Sequence, residues 1–238
     1  MRFDLCAHTY DEHAGPQRFF AERVAQFILD GSQGVSPLRS ESVLELGAGT
    51  GALTRYLLDA PVLATDASPT MVEHGRLAVP QAQWSVLDAF KASLPAADLQ
   101  VSSGLLHWSD DPVSMLTRWK SRLAPNGRMV HAIPCDPCLS EWRALVPESP
   151  VPWRNEAEWL TIFERAGLQV TRSQSWLHTA VCSSALEMVR GFHRTGVTGR
   201  TQVGPARLRQ ALREYDAKHQ VSGGVQATWV WLAIEAIA

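Results

Sequence analysis

A glycine-rich turn groups residue types that could hold a small ligand. The apolar run Val43–Leu46 contains the acidic Glu45, and Gly47, Gly49 and Gly51 follow at alternate positions. An apolar strand, a tight turn and a helix in this order form the cradle of nucleotide-like ligands. Glycines let the backbone approach such a ligand closely, in conformations that a Cβ would forbid. The turn therefore predicts a nucleotide-like binding site.

A carboxylate downstream of the turn strengthens this prediction. Asp66 follows Gly47 by 19 residues and comes directly after a second apolar run, residues 61–65. A carboxylate at this place can accept hydrogen bonds from both hydroxyls of a ribose. No Gly-Lys-Ser/Thr follows the glycines, which disfavours a P-loop and nucleoside triphosphate binding. The pattern leaves one alternative open, an ordinary strand-to-helix turn with a surface aspartate.

The glycines are spaced G-x-G-x-G rather than G-x-G-x-x-G, and Glu45 lies two residues before the first of them. This pattern resembles the class I S-adenosylmethionine (SAM) methyltransferases. The resemblance implies SAM as the cofactor, with backbone groups of Gly47, Ala48 and Gly49 meeting its methionine moiety. It also implies that Glu45 orders the loop or the cofactor's ammonium group, and that Asp66 accepts from the ribose.

Residues after the next two predicted strands complete the implied cofactor site. Met71 would lie on an adenine face, since methionine is flexible and polarizable, with core packing as the alternative. Asp88 would accept from the adenine amino group, while the backbone N–H of Ala89 donates to a ring nitrogen. The implied cofactor contacts also include Gly51, Ala67 and Arg18, the last as a partner for the cofactor carboxylate.

Further segments carry a narrower resemblance: Phe3-x-x-x-Ala7-x-x-Tyr10-Asp11, Glu12-His13-Ala14, Gln17-Arg18, Ser102–Trp108, Leu123–Arg128, Ala185–Arg190 and Thr195-Gly196-Val197. Together they are similar to the malonyl-acyl carrier protein O-methyltransferases of biotin synthesis. The chain departs from that family at Ser103, His107 and Phe90, where the family usually has Asn, Gln and an acid. The resemblance implies methylation of the free carboxylate of malonyl-acyl carrier protein, giving the methyl ester that primes pimeloyl synthesis for biotin. The alternatives are a methyltransferase acting on a free small-molecule carboxylic acid or phenol, and a fold kept as a binding module without activity.

The implied reaction needs little acid or base chemistry, because a carboxylate is already ionised at neutral pH. Tyr10 is the candidate for a lid residue over the methyl group, and His107 and Trp108 would line the acceptor side. The substrate carboxylate calls for a cationic clamp, for which bidentate arginine is best suited. The candidates for this clamp are Arg18, Arg143, Arg154 and Arg190, and the sequence does not choose among them.

A basic stretch between Ser184 and Lys218 suggests an acidic partner. It holds seven Arg and Lys residues against three acids, in a chain whose formal net charge is −2. Acyl carrier proteins are acidic, so this insertion is a candidate dock, with Arg190 and Arg194 as its leading residues. A solvated helix face is the alternative.

The composition excludes several other classes of protein. The net charge of −2 over 238 residues gives no case for nucleic acid binding, and no apolar run is long enough to span a membrane. The scattered cysteines and the lack of an apolar signal core predict a cytoplasmic location. Cys135 and Cys138 have C-x-x-C spacing without a second pair, so we expect loop cysteines and no metal site. We expect a monomer.

Alternating elements must position these residues, and they predict an α/β fold. We expect a Rossmann-like, mostly parallel sheet with an antiparallel edge strand, in one methyltransferase domain over residues 1–238. This domain would include an N-terminal helical lid at about 1–34, with a helix over 11–29, and a helical insertion at about 184–218. The predicted strands span residues 42–46, 61–65, 83–87, 98–102, 127–133, 168–178 and 225–237, the last two as an antiparallel pair. The other predicted helices span residues 50–58, 69–78, 112–123 and 156–166.

Overall fold

The computed structural model describes residues 14–30, 38, 41–149, 152–195 and 203–238. These residues form an eight-stranded sheet with helices packed against it. The strands are β1 Val43–Leu46, β2 Val62–Asp66, β3 Gln83–Val86, β4 Ala97–Ser103, β5 Leu123–Pro134, β6 Gln169–Cys182, β7 Gln220–Val221 and β8 Gly224–Ile237. The helices are α1 Gly15–Asp30, α2 Pro69–Ala78, α3 Pro112–Lys120, α4 Ser140–Leu145, α5 Glu156–Arg165, α6 Ala185–Arg194 and α7 Pro205–Lys218.

The strand order is β3-β2-β1-β4-β5-β8-β6, with β7 paired to β8. Strands β1 to β5 are parallel, while β8 lies between β5 and β6 and is antiparallel to both. The Rossmann-like fold class and the antiparallel pair of the last two long strands are therefore confirmed. The chain leaves β1 in one direction toward β2 and returns on the other side at β4. Ligands of open α/β sheets bind at the carboxyl ends of the strands at such a reversal point.

The turn after β1 is the main error of the sequence-based prediction of elements. Residues 50–58 do not form an α-helix, and only Thr54–Tyr56 make one 3₁₀ turn. Gly51 has φ of 90°, outside the helical region, so no helix can begin before it. The N–H groups of Tyr56 and Leu57 then bond to carbonyls three residues earlier, at 3.0 Å each, which is the 3₁₀ pattern.

Helix α2 matches the predicted range of 69–78 because its first turn is strongly specified. The Ser68 hydroxyl accepts a hydrogen bond from the N–H of Met71 at 3.1 Å, and Pro69 occupies the first helical position. The indole of Trp84 on β3 then packs against Gly75 of α2 so closely that a Cβ there would lie 2.2 Å from the ring. This contact fixes α2 beside the glycine-rich turn.

Helix α1 and the insertion lie at the same end of the sheet as the turn. Phe20 of α1 stacks on Trp231 of β8 at 4.8 Å between ring centroids. In the insertion, the Asp216 carboxylate of α7 accepts from the N–H of Ala185, the first residue of α6, at 2.7 Å. The predicted lid and insertion boundaries remain predictions, and residues 1–13 and 31–34 of the lid lie outside the described residues.

Two further observations concern the whole described chain. None of its helices has the length and apolar character needed to cross a membrane. No group of three or more His, Cys, Asp or Glu side chains within the described ranges is placed to hold a metal ion.

Cys135 and Cys138 are buried free thiols between β5 and α4, and burial raises the pKa of each to about 12. Both therefore remain unreactive thiols at neutral pH.

Candidate functional site

The glycine-rich turn forms a cradle that side chains would fill. Gly47 and Gly49 have φ of 68° and 56°, in the left-handed region. The space where a Cβ of Gly49 would point is open for 4 Å, whereas one on Gly47 would contact Leu105 at 3.0 Å. The N–H of Ala48 donates to the Thr65 carbonyl at 2.8 Å, which ties the turn to the end of β2. The left-handed backbone of the turn and its hydrogen bond to β2 therefore keep the space beside Gly49 open.

Asp66 stands at the end of β2, and its carboxylate organises the cradle. One oxygen accepts from the N–H of Gly49 at 3.0 Å, and the other accepts from the N–H of Ser68 at 2.9 Å. Each carboxylate oxygen can accept more than one hydrogen bond, so acceptor capacity remains for hydroxyls of a ligand. The structure thus places Asp66 beside the glycine-rich turn and in the wall of a cavity, and its contact with a ribose remains a prediction.

Two adjoining cavities run along the carboxyl ends of the strands, with volumes of about 410 Å³ and 340 Å³. Both are lined by Gly47, Leu105 and Trp108. The larger cavity also contains Glu45, Ala48, Gly49 and Met71, whereas the smaller contains Asp66, Ala67, Asp88 and Ala89. The topology therefore brings most of the predicted cofactor residues together around one elongated space.

Asp88 and Ala89 are held in the wall of the smaller cavity by their neighbours. The Asp88 carboxylate accepts from the N–H of Phe90 at 3.0 Å and pairs with the ammonium of Lys91 at 3.0 Å. The carbonyl of Ala89 accepts from the indole N–H of Trp119 at 3.0 Å, which anchors this loop to α3. The Asp88 side chain remains 32% exposed, within reach of a ligand in the cavity.

Two predicted cofactor residues line neither cavity. A Cβ on Gly51 would lie 2.9 Å from Val79 and 3.3 Å from Trp84, so this glycine is required by packing behind the turn. Arg18 is exposed on α1, whereas its neighbour Gln17 lines the larger cavity. The side-chain oxygen of Gln17 is buried without a hydrogen-bond partner among the described residues. The sequence offered no signal for preferring Gln17.

Glu45 is buried beneath the cradle and orders it from within. The Thr54 hydroxyl donates to the Glu45 carboxylate at 2.6 Å, which links β1 to the 3₁₀ turn. Burial raises the pKa of Glu45 to about 8; the hydrogen bond from Thr54 opposes this shift, and the charge of Asp66 adds to it. Without a bound cation nearby, Glu45 is therefore mainly protonated at neutral pH.

We expect Glu45→Gln to flatten the pH dependence of stability between about pH 4.5 and 8. The pKa of Glu45 in the folded protein lies above its ordinary value of 4.5, so in this window the folded state keeps a proton that the unfolded chain has lost. This stabilising contribution is complete below pH 4.5 and is lost as pH rises toward 8, by up to ~1.4 kcal/mol per pH unit. Denaturant unfolding of both proteins from pH 5 to 8 measures it, and parallel curves would contradict it.

His107 and Trp108 lie on a short 3₁₀ turn, Leu106–Trp108, after β4. The turn follows Gly104, at φ of 77°, where a Cβ would lie 2.7 Å from the Trp231 ring. His107 is buried, lines the larger cavity, and has no partner for Nδ1 among the described residues. Burial lowers the pKa of His107 to about 3, so its imidazole is neutral at physiological pH. Tyr10, the predicted lid residue, lies outside the described residues.

Aromatic residues that the sequence did not single out form the other walls of the larger cavity. They are Trp142, Trp153, Phe192, Trp229 and Trp231, which we call the aromatic chamber. The indole N–H groups of Trp153 and Trp231 are buried and have no partner in the described part of the chain. The five residues of the aromatic chamber come from four separate segments of the chain. The signal available in the sequence was the high tryptophan count of nine.

The structure separates the arginines that the sequence proposed for the clamp and for the dock. Arg143 of α4 lines the aromatic chamber, and its Nη1 is buried without a partner in the described ranges. Arg154 instead lies over the Trp159 ring at 5.0 Å and does not line the cavity. Arg190 and Arg194 are exposed on α6, where both pair with Glu187. Of the four clamp candidates, Arg18, Arg143, Arg154 and Arg190, only Arg143 lines the larger cavity.

The residues that form the cradle lie in a segment that is similar to known methyltransferases. Residues 44–129 match the family model described as a methyltransferase domain. The biotin biosynthesis bifunctional protein BioCD of Bordetella avium is 31% identical over 90% of this chain and 48% of its own length. A malonyl-[acyl-carrier protein] O-methyltransferase of Neorickettsia risticii is 32% identical over 63% of this chain and 60% of its own length. This chain thus spans about half to three fifths of these two curated relatives.

A solved structure supports the fold independently. The YcgJ protein of Bacillus subtilis superimposes with a TM-score of 0.66 over 91% of this chain and 98% of that chain. Its sequence identity is 15%, so the similarity shows the fold alone.

Proposed function

We propose that this chain transfers the methyl group of SAM to the free carboxylate of a malonyl group held on acyl carrier protein, because residues 44–129 match a methyltransferase domain model and the glycine-rich turn lies at the carboxyl ends of a mostly parallel sheet. One observation carries the choice of a carboxylate: the unpartnered Nη1 of Arg143 in the aromatic chamber beside the cradle. The similarity to BioCD and to a malonyl-[acyl-carrier protein] O-methyltransferase supports the malonyl group and the carrier.

The residues around the cradle fit SAM. The space above Gly49 suits its methionine moiety, the Asp66 carboxylate suits its ribose, and Asp88 and Ala89 in the adjoining cavity suit its adenine. When bound, SAM supplies an electrophilic methyl group on a positively charged sulfur. Glu45 lies in the wall of the larger cavity. The cationic groups of bound SAM would favour its ionised form, because a nearby cation stabilises a charged carboxylate.

Arg143 would hold the acceptor carboxylate. Its guanidinium donates to the Asp136 carboxylate on one side and lies over the Trp153 ring on another, with its carbon 4.7 Å from the ring centroid. These two contacts fix the plane of the guanidinium and leave Nη1 for the acceptor. No other Arg or Lys of the described residues lines the cavity, which suits an acceptor with one negative charge and an otherwise apolar arm.

The aromatic chamber would accelerate transfer mainly by positioning the acceptor and excluding water. An ionised carboxylate needs no base, and its nucleophilicity rises when its hydration shell is replaced by a few fixed donors. Holding the carboxylate in line with the methyl group turns an encounter of two molecules into a step within one complex. Trp108 forms the wall shared by the two cavities, so it would position both reactants.

We expect His107→Gln to retain activity within about 3-fold of wild type, because an ionised carboxylate needs no base and an imidazole with a pKa of about 3 would be a weak one. The kcat/KM profile of wild type should show no break near pH 6.5. A loss of about 10²-fold or more, together with such a break in the wild-type profile, would identify His107 as a general base instead. Steady-state rates from pH 5.5 to 8.5 measure both.

The acceptor is tested directly by incubating the protein with SAM and malonyl-acyl carrier protein and measuring the mass of the product by mass spectrometry. We expect one added methyl group on the malonyl moiety and none on the unloaded carrier. Transfer to a free carboxylic acid or phenol, without transfer to the loaded carrier, would favour a small-molecule methyltransferase. Absence of SAM binding in calorimetry would instead indicate a binding module without activity.

Methylation would mask the carboxylate, so that the malonyl group could enter fatty acid elongation as an apolar primer for biotin synthesis.

A further inference from the structure

The larger cavity reaches the surface beside α7. Glu148, Ser149, Val203 and Leu208 line it and are themselves half-buried or exposed, which places its opening at these residues. The Glu148 side chain is 37% exposed and forms an ion pair with Arg207, at the start of α7. A substrate arm entering from outside would therefore pass between the segment around Glu148 and the first turns of α7.

Helix α7 carries two cations that form no ion pair with any of the described residues. Of its basic residues, Arg207 pairs with Glu148, and Lys218 pairs with Glu214 at 2.6 Å. Arg209 and Arg213 are exposed and have no ion pair within the described ranges. They are four residues apart, so they lie on one side of the helix, one turn from each other.

The acids of the insertion are already engaged elsewhere. Asp216, the other acid of α7, accepts the N–H of Ala185 at the start of α6. Glu187 of α6 is shared between Arg190 and Arg194, with an oxygen of Glu187 3.7 Å from a nitrogen of Arg194. Within the described ranges, the two arginines without an ion pair are therefore on α7, whereas the α6 arginines share one carboxylate and keep one net positive charge.

We infer that Arg209 and Arg213 form a docking surface for an acidic helix of the carrier protein, whose acyl arm enters the cavity beside Glu148. This inference rests on the proposed function, since the carrier is the partner that delivers a tethered malonyl group. Charge complementarity selects the occupant: two exposed guanidinium groups one helical turn apart match an acidic helix face. A carrier bound to this side of α7 would hold its acyl arm next to the opening of the cavity.

The test compares two double variants with the same change in net charge, Arg209→Glu/Arg213→Glu on α7 and Arg190→Glu/Arg194→Glu on α6. Binding of malonyl-loaded carrier protein is measured by fluorescence anisotropy at low and high salt. Methylation of malonyl-carrier protein is compared with that of the malonyl thioester of N-acetylcysteamine, which keeps the free carboxylate but lacks the acidic carrier. SAM affinity and thermal unfolding establish that each variant is folded.

We expect the α7 variant to bind the carrier at least about 10-fold more weakly and to lose most of the salt dependence. Its kcat/KM for the small thioester should stay within about 2-fold of wild type, and the α6 variant should bind the carrier nearly normally. Equal weakening in both variants, or a loss in the α6 variant alone, would overturn the inference, as would wild type that does not bind the carrier. Wild type that binds the carrier through α7 but methylates neither thioester would refute the proposed reaction while leaving the docking surface supported.

Discussion

Asp66→Asn should weaken SAM binding by roughly 100-fold, because the charged acceptor for the ribose hydroxyls is lost. Hydrogen bonds to a charged group contribute about 1.5–3 kcal/mol each, and a factor of 100 corresponds to about 2.7 kcal/mol. The substitution also harms the cradle itself. The two Asp66 oxygens accept from the N–H groups of Gly49 and Ser68, and the amide nitrogen of Asn would oppose one of these donors. Calorimetric titration with SAM measures the change.

The matched control is Asp110→Asn. Asp110 is exposed, lines neither cavity, and has the same side chain. We expect this variant to bind SAM as wild type does, within about 2-fold, because its carboxylate lies outside the cradle. If Asp66→Asn also stayed within about 3-fold of wild type, Asp66 would serve to hold the turn together rather than to bind the cofactor.

The sequence predicted the sheet well because the strands alternate with helices whose ends carry local signals. Ser68 and Pro69 specify the start of α2, and the long alternating run of β6 indicated an antiparallel partner. The helix over residues 50–58 was predicted wrongly because its periodicity said nothing about the backbone of Gly51. That glycine takes φ of 90° beside Trp84, a residue 33 positions further along the chain.

The candidate site divides in the same way. Gly47, Gly49 and Asp66 are set by one strand, the turn that follows it and the neighbouring strand, so their spacing was enough to predict the cradle. The aromatic chamber was not predictable, because Trp142, Trp153 and Trp231 come from separate segments that meet only in the folded chain. Charge alone could not distinguish Arg143 from Arg154, since what separates them is that Arg143 lies over Trp153 and lines the cavity, whereas Arg154 lies over Trp159 and does not.

Arg143→Met should lower kcat/KM for the malonyl acceptor by about 10²- to 10³-fold while leaving SAM affinity within about 2-fold. Methionine keeps much of the apolar stem but removes the donor whose Nη1 is buried in the cavity. Losing a charged partner of a buried carboxylate costs about 2–5 kcal/mol, and the loss should appear mainly as a higher KM for the acceptor. Initial rates at saturating SAM, with a calorimetric SAM titration alongside, measure both quantities.

Two companion variants separate a clamp from a structural role. Arg154→Met removes a guanidinium that lies on Trp159 away from the cavity, so it should change stability but not the KM of the acceptor. Arg143→Lys should recover only part of the loss, because an ammonium group keeps the charge but not the planar fork that lies on Trp153. Equal effects of Arg143→Met and Arg154→Met on the acceptor would assign both to folding. A neutral Arg143→Met would place the acceptor carboxylate elsewhere in the chamber, with the buried indole N–H groups of Trp153 and Trp231 as the remaining donors.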